Sequence, residues 1–228
     1  MKAKFYLLFF FLLFFFGSVH AKNFFVGIAG ASGSGKTVLS KHLAQMVGEK
    51  NVLILSVDNY YKVKAELSKK LPINYDNPET IDVDLLIEHL RLLKAGKSIP
   101  EYHYDFYSQD RTMLPSIIQP KPIILVEGFL VLHFPQIREL MDLKIFVDVD
   151  QDIQLLRLID RDQKTRNKNL ASIISEYQWR VKPGTEEWVI PSKKQADLIL
   201  PYNKPNPEGE KLIAARLKEM LNFTKKPE

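Results

Sequence analysis

Apolar residues along this chain gather in short unbroken runs, and between those runs they recur at helical spacing. "FFVGIAG" from Phe24 is a run of strand length, "KTVLSKHLAQMVG" carries a helical stripe closed by Gly48, and "NVLILSV" is a second strand-length run. Strand, helix and strand in that order predict a βαβ unit. "DVDLLIEHLRLLKAG" predicts a crossover helix with Asp82 as N-cap and Gly96 as C-cap. A carboxylate accepts from a free N–H at a helix start, and glycine takes the backbone turn at its end. "SIPEYHYDFYSQDRTMLPSIIQP" is aromatic and proline-punctuated and predicts a hairpin insertion over about 98–120. "PIILVEGFLVL", "LKIFVDV" and "ADLILP" are near-continuous apolar runs, as expected of parallel strands covered on both faces. Five such strands separated by helices predict an α/β domain, a doubly wound parallel sheet with helices on both faces. No internal repeat is visible, and "NKPNPEGE" and "TKKPE" read as loose ends.

Candidate chemistry starts at the first strand-to-helix junction. Gly30, Ala31, Ser32, Gly33, Ser34, Gly35, Lys36 and Thr37 spell GxxxxGK[ST] between a predicted strand and a predicted helix. In that setting the backbone amides cradle nucleotide phosphates, so the sheet is expected to be P-loop NTPase-like. Lys36 is placed at the β- and γ-phosphates and the Thr37 hydroxyl on Mg²⁺. Asp58 ends the second strand in "ILSVDNYY", and Glu127 ends "PIILVEG" in the same way. Ligands gather at the carboxyl ends of parallel strands, so Asp58 is positioned to orient or accept a hydroxyl proton near the metal. Glu127 is positioned to hold Mg²⁺ directly or through water. Arg157 and Arg161 fall four apart on one helix face, with Arg166 beyond them in a polar stretch that can close over the nucleotide. Ser192–Lys194 reads as a surface turn, and the five histidines show no metal-ligand spacing.

Composition removes several classes. There is no cysteine, hence no disulfide framework, thiolate catalysis or cysteine-based zinc site. The formal charge of +5 is a mild excess spread among interleaved acids and bases, which argues against nucleic-acid binding. Lys2 and Lys4 precede the apolar run Phe5–Phe16, followed by small residues up to Ala21. This layout over 1–21 matches a signal peptide, and the run is too short to span a bilayer. Without those two lysines the charge is 5 − 2 = +3. Membrane contact is expected only through this leader. It argues for export or membrane association, whereas a triphosphate-using enzyme belongs most simply in the cytoplasm.

Read together, "GASGSGKT", "LSVDNYY", "INYDNPETID", "YDFYSQDR", "LVEG", "LKIFVDVD", "RLIDRD" and "VKPGTEEWVIPSKKQAD" resemble the uridine kinase family, in the larger group that includes phosphoribulokinase. The resemblance implies a kinase domain over 22–223, with a lid over about 152–170 and a loose tail at 224–228. It further implies ATP- or GTP-dependent, Mg²⁺-requiring phosphorylation of a nucleoside 5′-hydroxyl, in an enzyme that tends to form tetramers. ATP is the preferred donor, because "NKPN" lacks the carboxylate of a guanine-reading box. By the same resemblance Asp58 is the base, Asp76 grips the ribose hydroxyls, and Tyr61, Tyr104 and Phe106 line the nucleoside pocket. Arg161 and Arg166 belong to the lid that neutralises the moving phosphoryl group. Four positions depart from the family pattern. Gln109 stands for a histidine, Leu158 follows Arg157 where an arginine pair is usual, Lys168 replaces an arginine, and Glu176 replaces a glutamine. All four fall on substrate or lid contacts, so an altered base preference is expected. A kinase of another small alcohol, such as a sugar phosphate or a pantothenate-like substrate, and a nucleotide-binding module without turnover remain the alternatives.

Overall fold

The computed structural model describes residues 23–67 and 73–225; the leader at 1–21 lies outside them. Among the described residues seven strands form two sheets. β1 (Phe24–Ala29), β2 (Val52–Ser56), β5 (Ile123–Glu127), β6 (Leu143–Asp148) and β7 (Leu198–Pro201) make a five-stranded sheet in the order β2-β5-β1-β6-β7, and every pairing is parallel. β3 (Ile99–Asp105) and β4 (Asp110–Ile118) pair antiparallel as a separate hairpin. β1 and β2 are parallel and joined by a helix as expected, but β5 lies between them. Its all-apolar start, Ile123–Val126, suits an interior strand, and all five of its residues are buried.

Alternation along β1 splits the core in two. Phe25 packs on one face with Ile124, Val126 and the Leu86, Leu90 and Leu93 ridge of the helix Val83–Lys94. Val26 and Ile28 pack on the other, under Leu39 and Leu43 of the phosphate-loop helix Lys36–Val47 and Leu217 of the C-terminal helix Pro207–Lys225. Asp82 caps the helix Val83–Lys94, its carboxylate accepting from the Leu85 N–H at 3.3 Å, a contact worth about 1 kcal/mol. At the other end Ala95 is the cap, and Gly96 follows it at φ +72.

Three further expectations are corrected. "PIILVEGFLVL" is strand only to Glu127, and Phe129–Leu132 is buried turn. Arg166 is not beyond its helix but the last residue of the helix Gln151–Arg166, because the chain turns only at Asn167, which adopts φ +51. Ser192–Lys194 is not an open turn. Ser192 is buried and hydrogen-bonded to the Val189 carbonyl, and Lys193 pairs with Asp148 at 2.6 Å.

After a short helix, Leu170–Glu176, the chain stays helical through two wide π turns, Tyr177–Val181 and Thr185–Val189. Pro183 follows the first of these turns and Pro191 the second; neither supplies an N–H, so the backbone widens ahead of each rather than breaking. Among the described residues no helix is long and apolar enough to cross a membrane.

Candidate active site

Register places the chemistry. Ile28 of β1 and Ser56 of β2 both align with Glu127 of β5, so the phosphate loop, the turn carrying Asp58 and Glu127 itself emerge side by side at one sheet edge. The loop's backbone requires glycine. Gly33 sits at φ +81, where a Cβ would stand 2.7 Å from the Gln154 carbonyl oxygen, and Gly35 opens the helix at φ +94. The first amides of a helix lack intrahelical partners, so the loop presents donors and the positive dipole end to an anion. No acidic residue occupies that first turn to compete. Lys36 donates from Nζ to the Ala31 carbonyl at 3.1 Å. Burial pushes its ammonium below the ordinary 10.5, against the pull of Glu127 and Asp58.

Thr37 Oγ1 donates to Glu127 Oε2 at 3.4 Å. Glu127 is buried, and burial raises its carboxyl while Lys36 opposes the shift. Asp58 does not end β2, which stops at Ser56, but occupies a single-turn 3₁₀ segment, Val57–Tyr60, whose start is capped when the Asp58 N–H donates to Ser56 Oγ at 3.4 Å. Burial likewise raises Asp58, with Lys36, Arg166 and Arg161 acting in the other direction.

The far end of the cleft is aromatic. The Tyr61 ring lies 5.1 Å from Tyr104, 5.6 Å from Tyr75 and 5.7 Å from Phe106. The hairpin is tied to this cluster where the Tyr104 N–H donates to Asn59 Oδ1 at 3.2 Å. Gln109 lines the cleft from the hairpin turn, held at φ +58, a conformation costly for a residue with a Cβ. Asp76 is buried beside Gly184, whose added Cβ would stand 2.7 Å from the Asp76 Cβ, so "VKPG" needs its glycine for close approach.

The helix Gln151–Arg166 divides its cations. Arg157 turns onto main chain, donating to the Gly33 and Ser34 carbonyls at 3.4 Å and to Tyr202 and Asn203 at 2.9 and 3.0 Å. It fixes the phosphate loop to the segment after β7. Leu158 is buried, with its Cγ 3.3 Å from where a Gly33 Cβ would sit. Arg161 and Arg166 share the buried Asp162, at 2.7 and 3.6 Å. Arg166 also stands 5.0 Å over the Phe106 ring, joining this helix to the hairpin.

One cleft of about 1140 Å³ is bordered by Ser32, Gly33, Gly35, Lys36, Thr37, Asp58, Tyr61, Asp76, Tyr104, Phe106, Gln109, Glu127, Arg157, Arg161, Arg166, Lys168 and Glu176. Gly30, Ala31 and Ser34 are buried in the loop and do not border it. Sequence reasoning missed Asp162 and Arg180. Arg180 donates to Asp76 at 2.6 Å and to Glu176 at 2.8 Å, and Glu176 in turn accepts from Lys168 through both oxygens, at 2.6 and 2.8 Å. The only local signal for Arg180 was its i,i+4 spacing from Glu176.

A sequence profile of the phosphoribulokinase / uridine kinase family matches residues 25–206. A uridine kinase of Clostridium perfringens is 39% identical over 199 residues, covering 86% of this chain and 96% of its own. A uridine kinase of Halalkalibacterium halodurans is 37% identical over 198 residues, covering 86% and 94%. The solved phosphoribulokinase of Rhodobacter spheroides superposes with a TM-score of 0.60 at 16% identity, covering 79% of this chain and 70% of that one, a likeness of fold. With a profile matched over most of its length and relatives this similar end to end, the chain belongs to the phosphoribulokinase / uridine kinase family.

Proposed function

We propose that this protein transfers the γ-phosphoryl group of ATP to the 5′-hydroxyl of a nucleoside, with uridine and cytidine as the main acceptors. One observation carries the reading. A single cleft joins a phosphate loop, the buried strand-end acid Glu127 and the half-buried Asp58 to an aromatic box with Asp76 beside it. The loop suits a triphosphate tail, Asp58 suits the proton of the attacking hydroxyl, and the box suits a planar base. Arg161 and Arg166 reach the same space from the lid and suit the charge of the phosphoryl group in flight. The aromatic lining favours a nucleoside over a sugar phosphate.

Among the described residues no group of three or more His, Cys, Asp or Glu forms a metal cage. Mg²⁺ needs none, because it is usually held by one or two carboxylates together with substrate phosphates. The Thr37 hydroxyl and the Glu127 carboxylate, 3.4 Å apart, fit that role, with Asp58 near them. When bound with the nucleotide the ion supplies charge neutralisation at the phosphates.

The test is turnover of a panel of alcohols with MgATP and the purified protein. Uridine and cytidine should give 5′-monophosphates. Because Gln109 both donates and accepts, it can meet more than one base edge, and discrimination against purine nucleosides should stay below about 10²-fold. A steeply uridine-selective profile would contradict the altered base preference. Turnover only of a sugar phosphate or a pantothenate-like alcohol would replace the nucleoside reading, and nucleotide binding without transfer would make the protein a binding module. We also read residues 1–21 as an export leader. Mass spectrometry of the protein from its native cells should then find Lys22 as the first residue, and an intact leader would overturn this.

A further inference from the structure

Arg180 has a position no other cation in the cleft shares. It sits in the π turn Tyr177–Val181, and its side chain is only 17% exposed. One terminal nitrogen donates to Asp76 Oδ2 at 2.6 Å, the other to Glu176 Oε2 at 2.8 Å. Glu176 is itself gripped by Lys168, two residues past the end of the helix Gln151–Arg166. Asp76, Arg180, Glu176 and Lys168 thus alternate in sign along the cleft wall, from the acceptor end to the lid.

Each link has a physical consequence. Burial raises the Asp76 carboxyl, and the Arg180 guanidinium is the largest influence holding it down. A lone buried carboxylate would drift toward its neutral form, which keeps less capacity to accept hydrogen bonds. A guanidinium carries five N–H donors in a rigid plane, and the two contacts above use one on each terminal nitrogen. The remaining donors belong to a residue that borders the cleft beside the Asp76 carboxyl group. Glu176 fixes the plane of that guanidinium, and Lys168 fixes Glu176.

We infer that Arg180 is a specificity-determining residue of the acceptor site. With Asp76 it forms a locked acceptor-and-donor pair that reads two vicinal hydroxyls, while Glu176 and Lys168 act as positioning residues from the lid side. The carboxylate accepts the hydroxyl protons and the guanidinium donates to a hydroxyl oxygen. An acceptor lacking one hydroxyl leaves a buried partner unmatched, which is how such sites discriminate. This inference rests on the nucleoside kinase reading above.

The experiment compares a ribonucleoside with its 2′-deoxy and 3′-deoxy counterparts at saturating MgATP, for the wild type, Arg180→Met, Arg180→Lys and Glu176→Gln. For Arg180→Met, KM for the ribonucleoside should rise about 10-fold or more and the preference for it over the deoxy forms should shrink by a similar factor. KM for ATP should stay within about two-fold, since Arg180 does not touch the phosphate loop. Arg180→Lys keeps a charge beside Asp76 but loses the fork, so its selectivity should fall between the two. Glu176→Gln should move in the same direction more weakly. Equal losses for ribo- and deoxynucleosides would mark Arg180 as merely structural and overturn the inference, as would an unchanged preference in Arg180→Lys if Arg180→Met fails to fold. Wild-type turnover with no preference for ribonucleosides sinks the inference alone, whereas a wild type that phosphorylates no nucleoside removes the proposed function with it.

Discussion

Asp58→Asn is expected to lower kcat by about 10²–10⁴-fold, the usual contribution of a positioned general base. KM for nucleoside and ATP should change far less, because asparagine keeps the shape and a hydrogen-bonding carbonyl. The prediction has a pH signature. Burial raises the Asp58 carboxyl above the ordinary 3.8, and only its ionised form accepts a proton. Activity should therefore fall as pH drops through that raised value, and Asp58→Asn should abolish this acid limb along with the rate. Stability runs the other way. A raised pKa means the folded protein binds the proton more tightly than the unfolded chain. The contribution of Asp58 to stability is thus fully present below its unfolded value and is lost as pH rises through the folded one. Asn carries no charge to desolvate, so the variant's Tm near neutral pH should equal or exceed that of the wild type. Rate-against-pH profiles with calorimetry on the same preparations check both halves. Unimpaired turnover in the variant would remove Asp58 from the chemistry.

What the sequence revealed and what it hid divide along physical lines. The phosphate loop was legible because its backbone dictates residue type, as Gly33 and Gly35 at positive φ illustrate. That Glu127 borders the cleft was legible from an acid at the end of an apolar strand, and Asp58 borders the same cleft from the turn just after β2. The ends of one crossover helix were legible to within a residue, Asp82 as cap and Gly96 one place past Ala95, but the C-terminal helix was not, since Pro207–Lys225 begins inside "NKPNPEGE" and runs into "TKKPE", both of which read as loose. Contacts between distant segments were not. The insertion of β5 between β1 and β2 follows no local rule. The carbonyls that receive Arg157 come from two loops over a hundred and about forty-five residues away. Lys168 and Glu176 read as two separate departures from the family pattern, yet they face each other as one ion pair. Seen so, restoring glutamine at 176 alone would leave Lys168 without its anion. Arg180 was hidden because it makes its long-range contact, to Asp76, 104 residues away.

Lys36→Met is expected to cost about 10²–10³-fold in kcat, the scale for losing one preorganised charge donor at developing negative charge, and to weaken ATP binding as well. Methionine keeps most of the stem, so the loss isolates the ammonium. Partial burial pushes that ammonium below its ordinary 10.5, so it meets phosphate with part of its water already gone. The Ala31 carbonyl holds it at the loop, 3.1 Å away. Lys36→Arg should not restore the rate, because a planar fork cannot replace a compact charge in a loop closed by Gly33 and Gly35. The substitution also reaches the acids. Lys36 is the largest influence opposing the burial of both Asp58 and Glu127, so removing it should raise both carboxyls further. The residual activity of Lys36→Met should then show its acid limb at higher pH than the wild type. A drop in rate with the limb unmoved would mean that Lys36 serves the phosphates alone, whereas a shifted limb ties the base and the phosphate loop into one electrostatic unit.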